Sequence, residues 1–308
     1  MLFRSLSPAD SGAERAPTAV RPIFDLREWR KNQEGTFNER ADALIEAAGV
    51  AATGGAEART SAQLDLARFY MARAMFPEAV GVLNLELSDE KQGSEDPSVL
   101  IVHALANILM GRPERGLKDL ASPAIGANYD SQLWKAIASA RQGKWADARE
   151  KFKSAEFAIT SLPIDLQRIV IADAMHASIE VKDYPGAAKR ASELDVIGVA
   201  PEQAAAVGVL RGRLAEGLGH DKDALDEYKR AAASPDRPAS TEARLLQVAL
   251  KQRRDEISPE DALKELETLA INASGTARST SPSSGTSTRA RAAGWRTTRS
   301  SRQPASRP

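Results

Sequence analysis

The chain is poor in residues equipped for covalent or acid–base chemistry. It has no cysteine and three histidines, His103, His176 and His220. Without cysteine, a thiolate nucleophile, a thiolate zinc site and a disulfide framework are excluded. The histidines fall in different segments, with none of the close spacing that sets two imidazoles on one helix face to hold a metal. His220 follows Gly219 and reads as a solvated or helix-capping residue. No Gly-x-Ser-x-Gly elbow, Walker loop or dinucleotide fingerprint is present. The stretch Gly49 to Gly55 has glycines but lacks the Lys-Ser/Thr of a phosphate loop. Glu202, Asp221 and Asp223 read as helix N-terminal acids favoured by the helix dipole. Trp134 and Trp145 are expected to pack between helices. No catalytic residue, metal or cofactor is assigned, and the chain is read as non-enzymatic.

The elements that would position any site must come from an alanine-rich, aromatic-poor chain of 308 residues, 42% of them apolar and 5% aromatic. That composition favours closely packed helices over a β-sandwich. No apolar run approaches the ~18 residues of a membrane span. The start, Met1-Leu2-Phe3-Arg4-Ser5-Leu6-Ser7-Pro8, lacks the ~7–15-residue apolar stretch of a secretory signal. As written, the expected compartment is the cytoplasm.

The balance of 42 basic and 42 acidic residues conceals two unlike parts. From Ala273 to Pro308 there are seven arginines and no acid, which leaves the rest with a formal charge of −7. A body of that sign is a poor nucleic-acid binder, so any such role would rest on the tail.

Organisation follows a repeat. Residues 1–22 carry Pro8, Pro17 and Pro22 and read as extended. A helical element and loop span 23–59, with Asp25 as an N-cap, a second helical run from Asn38 to Ala48, and a loop from Gly49 to Thr60. From 60 to 271 a pattern of paired helices recurs. Small residues in the second helix of each pair fall at Ala79, Gly116, Ala148, Ala187, Ala224 and Ala262, with spacings of 37, 32, 39, 37 and 38. A two-helix hairpin cannot bury its own apolar faces and must stack on the next, and close helix crossings demand Ala or Gly. Gly111, Gly143 and Gly219 suit a left-handed C-terminal turn. Pro77, Pro113, Pro185 and Pro259 suit the first turn of the second helix.

These offsets, clearest in VGVLRGRLAEGLGHDKDALDEYKRA from Val207 to Ala231, resemble the tetratricopeptide repeat, a helix–turn–helix unit of 34 residues. The chain departs from the family at the first-helix glycine, which is Ala67, Ala104, Ala136 and Met175 before Gly212. The resemblance implies an all-α solenoid of about six stacked repeats whose first helices line a concave face that binds peptides. At the position after the first helix's small residue stand Arg68, Leu105, Ile137, His176, Arg213 and Lys251, with Arg141 and Arg254 one turn farther on. Arg68, Arg141, His176, Arg213, Lys251 and Arg254 are the candidate partner-binding residues. They would receive an acidic segment or a C-terminal carboxylate of a protein partner. The plain alternative makes them solvated helix residues balanced by Glu180 and Glu216. The expected function is a protein-interaction scaffold; the alternative is a non-catalytic fragment of a larger enzyme-associated or envelope-assembly protein.

The tail, 272–308, reads as disordered. Its Ala, Arg, Gly, Pro, Ser and Thr are also what a GC-rich gene yields in a wrong frame. Rereading Ser279 to Trp295 in another frame can give a Leu-Gly…Tyr…Gly first-helix spacing. The expectation is a frame-shifted seventh repeat at the end of a fragment, with an exposed repeat end prone to self-association. The competing reading is an arginine-rich arm for nucleic acid.

Overall fold

The computed structural model describes residues 23–89, 95–125 and 129–279; the expected extended start and all but the first residues of the arginine-rich tail lie outside these. The described residues are helical throughout, with no β-strand among them. Two helices come first, α1 (Leu26–Gln33) and α2 (Phe37–Ala51). Then follow α3 (Ala56–Ala72), α4 (Phe76–Asp89), α5 (Pro97–Leu109), α6 (Pro113–Asp119), α7 (Tyr129–Arg141) and α8 (Trp145–Ser154). A four-residue α9 (Glu156–Ile159) precedes α10 (Ile164–Glu180), α11 (Tyr184–Ile197), α12 (Ala204–Gly217), α13 (Asp221–Ala232), α14 (Arg237–Arg253) and α15 (Pro259–Ser279). Contacts divide the chain into two units, one reaching Leu250 and one starting at Lys251.

In the first unit the helices pack as neighbouring pairs, α3 with α4, α5 with α6, α7 with α8, α10 with α11 and α12 with α13. The first helix of each pair also touches the first helix of the next, and each second helix reaches the following first helix. One apolar core runs from Ile23 to Leu214 through these contacts. Helix α14, as far as Leu250, joins through Val209, Ala231 and Ala243, and through Ala224, Tyr228 and Leu250.

The small residues sit where the helices cross. Ala79, Ala148, Ala187 and Ala224 are fully buried. Gly116 shows why nothing larger is tolerated: a Cβ there would lie 2.5 Å from Ile108 Cγ1 and 2.7 Å from the Ala104 carbonyl oxygen. The spacings vary because the connections do. The compressed interval of 32 contains the seven-residue α6, and the widest, 39, contains α9.

Six turns share one hydrogen-bonding scheme. A residue with positive φ ends the first helix at Ala74 (56°), Gly111 (74°), Gly143 (73°), Lys182 (60°), Gly219 (79°) and Asp255 (57°). In every case the next N–H reaches back five residues: Met75 to Tyr70 O at 2.8 Å, Arg112 to Asn107 O and Lys144 to Ser139 O at 2.9 Å. Asp183 to Ser178 O at 2.8 Å, with His220 to Ala215 O and Glu256 to Lys251 O at 2.9 Å, complete the set. This is the Schellman closure of a helix C-terminus. Glycine types mark only three of the six turns, so Ala74, Lys182 and Asp255 were invisible as turn residues.

Two sequence boundaries shift. The expected loop from Gly49 to Thr60 shrinks to the residues between Ala51 and Ala56, because Ala-Glu-Ala-Arg resumes a helix directly after Gly54-Gly55. Helix α15 runs past Ile271 to Ser279, and the segment proposed for frame-shifted rereading lies, beyond Ser279, outside the described residues. Within the second unit, Ser258 caps α15 by accepting the Asp261 N–H at 3.1 Å, and Leu263 and Ile271 are exposed.

Candidate functional site

The faces of α3, α7 and α10 carry a segment of the chain itself. Asp25 caps α1 by accepting the N–H groups of Arg27 and Glu28, both at 2.9 Å. Those two bonds hold its carboxyl below the usual carboxylate range. Ile23, Phe24 and Trp29 are buried in the main core. The Phe24 ring meets Trp29 and the wholly buried Trp134 of α7 edge-on, at 5.5 and 6.1 Å between centroids. Asp165, in the first turn of α10, accepts from the Trp29 indole at 3.3 Å and from the Gln33 amide at 2.6 Å. Arg68 of α3 and Arg73, the residue that caps this helix, hold the ends of the segment by its backbone. Arg68 donates to the Ile23 carbonyl at 2.8 Å. Arg73 donates to the carbonyls of Asn32, Gln33, Glu34 and Gly35, at 2.8 to 3.3 Å. A cation against the last carbonyls of a helix satisfies acceptors that have no partner within the helix.

Farther along α10 a cleft of about 310 Å³ opens, bordered by Arg141, by Ile169, Ala172, Asp173 and His176 of α10, by α12, and by the start of α14. Apolar side chains form much of its lining, including Val207 and Leu210. Three carboxylates border it, Asp173, Asp236 and Glu242. Arg141 is paired with Asp173 at 3.0 Å.

Beside this cleft lies a cluster that binds α8, α10 and α12 together. Arg213 donates to Glu180 at 2.7 Å and lies 3.2 Å from His176 Nε2, which is itself 3.2 Å from Glu180. The Trp145 ring covers the imidazole at 4.5 Å. The hydrogen bond from His176 and the Arg213 guanidinium together hold the Glu180 carboxyl down to about 2, against an ordinary 4.5, despite the opposing effect of burial.

The structure thus brings Arg141, His176 and Arg213 into one neighbourhood and sets Arg68 apart, on the α1 segment. Lys251 and Arg254 belong to the second unit, where Arg254 lies 2.6 Å from Glu256. Leu105 and Ile137, at the position equivalent to Arg68, are fully buried, so that position does not face one surface in every pair. The cations expected to meet an acidic partner already have acids: Asp65 for Arg68, Asp173 for Arg141, Glu180 for Arg213. Most of these partners lie one repeat away in sequence. Arg141 and Asp173 are 32 residues apart, Arg213 and Glu180 33, and Arg149 and Asp183 34. Opposite charges one period apart were therefore a readable signal. Asp165, Phe24 and Trp29 had none, because 136 residues separate Trp29 from its acceptor.

His103 bridges α4, α5 and α6, with Nδ1 2.8 Å from Asp119 and Nε2 3.1 Å from Asn84, which makes it a buried pin rather than an exposed group. His220 is the exposed N-cap residue of α13. Among the described residues no group of three or more His, Asp or Glu side chains is placed to hold a metal ion. Among them, too, no helix is long and apolar enough to cross a membrane. Compared with known proteins, the chain matches no family model and no curated sequence.

Proposed function

We propose that the chain is a protein-interaction module of stacked helical pairs, similar in organisation to tetratricopeptide repeat proteins, that receives a partner segment on the face formed by its first helices. The observation that carries this reading is the handling of residues 23–35. Two aromatic anchors are buried against first helices, while Arg68 and Arg73 hold backbone carbonyls, which any polypeptide offers. A face that binds one segment by side-chain pockets and main-chain bonds has the chemistry to bind another. The solenoid form belongs to this proposal and is supported by the contacts between successive first helices.

The test is site-specific photo-crosslinking in the native host. A photoreactive residue at Ile169 or Ala206, which line the open cleft, should give a discrete adduct with a partner polypeptide. The same residue at Val196, exposed on second helix α11, should not. Equal labelling from both faces, or none from the cleft, would remove the proposal.

A further inference from the structure

We propose that the open cleft between α10, α12 and the start of α14 takes a peptide segment that sets an aliphatic side chain beside a lysine or arginine. This rests on the reading that the first-helix face receives a partner segment and adds the chemistry of that segment.

Charge is left over at this cleft after internal pairing. Arg141 and Asp173 neutralise each other at 3.0 Å. His176 and Arg213 are engaged by Glu180. What remains at the rim is Asp236 and Glu242, neither of which has a cationic partner among the described residues. Asp236 does accept the Ala239 N–H at 3.4 Å, a long helix-capping bond that leaves its charge uncompensated. Glu242 stands about one and a half turns into α14 and lines the cleft. Between these acids the lining is aliphatic, with Ile169, Val207 and Leu210.

An ammonium or guanidinium group beside an aliphatic side chain supplies the missing charge, and its stem covers apolar surface. An acidic segment would instead face two carboxylates of its own sign, which selects against it. The cleft begins about one turn along α10 from Asp165, which holds the α1 segment, so it extends a surface already occupied by polypeptide.

The experiment is fluorescence anisotropy on the full chain at about 0.15 M salt. The probes are three labelled, acetylated nonapeptides that alternate leucine with lysine, glutamate or serine. The lysine peptide should bind at least about tenfold more tightly than the other two. Glu242→Lys should erase that preference, and Glu242→Gln should weaken it in a variant that keeps the side-chain size. Asp42→Lys, an exposed site on α2, should leave it within about twofold, which excludes a response to net charge alone. Tighter binding of the glutamate peptide, or equal loss in the Asp42 and Glu242 variants, overturns the proposal. Cleft adducts in the crosslinking experiment without a lysine preference overturn the assigned chemistry and leave the docking face standing. Absence of both overturns the two together.

Discussion

Two stretches of the first-helix face, both bordered by α10, are handled in opposite ways. On the first, residues 23–35 lie across α3, α7 and α10, and Phe24 and Trp29 are sealed in the core. Asp165 there meets two donors of the same segment. On the second, much of the lining is apolar, and Asp236 and Glu242 meet no cation among the described residues. The comparison shows that apolar surface alone does not decide which stretch is covered. The first stretch is covered by a segment whose donors match its acceptor and whose carbonyls match its arginines. The second presents acids that nothing in the described chain complements, and an uncompensated charge brought out of water costs more than apolar contact returns.

The sharpest way to break this contrast is Trp29→Ala. Removing a buried tryptophan costs about 3–5 kcal/mol, and urea denaturation should show a loss of that order. With Phe24→Ala added, the first stretch should lose its occupant, and a synthetic peptide of residues 23–34 should bind the double variant but not the parent. A loss below about 1 kcal/mol would mean that α1 rests on the face without being held there.

Acid should act next, through the cluster beside the open cleft. An unfolded Glu180 carboxyl titrates near 4.5 and the folded one near 2, so its contribution is complete above the first value and disappears as pH falls through the second. Folding stability should therefore decline between those pH values, by up to a few kcal/mol. Glu180→Gln should flatten that part of the profile while lowering stability at neutral pH. An unaltered profile would show that the ion pairs do not hold the cleft wall.

The turns give a smaller effect of predictable sign. Lys182→Gly and Ala74→Gly should each stabilise by about 1 kcal/mol, because a non-glycine residue at positive φ is strained. Gly143→Ala should cost a similar amount at an equivalent turn. If Lys182→Gly destabilises, its side chain matters more than the backbone strain. Smallest of all, Glu242→Gln should change the thermal stability by no more than about 0.5 kcal/mol, since an unpaired rim carboxylate supports no fold contact. A large loss there would make Glu242 part of the fold rather than part of a docking surface.

Much of the framework was legible in residue types. Five of the six small residues mark helix crossings of the first unit, Asp25 marks a cap, and four prolines mark the first turns of second helices. Each reports a local steric or hydrogen-bonding demand that only a few residue types meet. The candidate site was less legible. Arg141, His176 and Arg213 come together from successive first helices, but residue type does not show which acids meet them. Pairing across one repeat period neutralised two of them. Arg68 contacts a bound segment, yet that segment is the chain's own backbone.

By itself, then, the sequence determined the helical pairs, their crossings and half of their turns, because these depend on contacts within about one repeat. Only the tertiary structure decided that α1 lies on the first-helix face, that Asp165 receives it, and that Arg141 and Arg213 are internally neutralised while Asp236 and Glu242 meet no cation among the described residues. The physical reason is range. Whether a charge or an apolar face is satisfied depends on side chains brought together from distant positions, and residue type records the demand without recording what meets it.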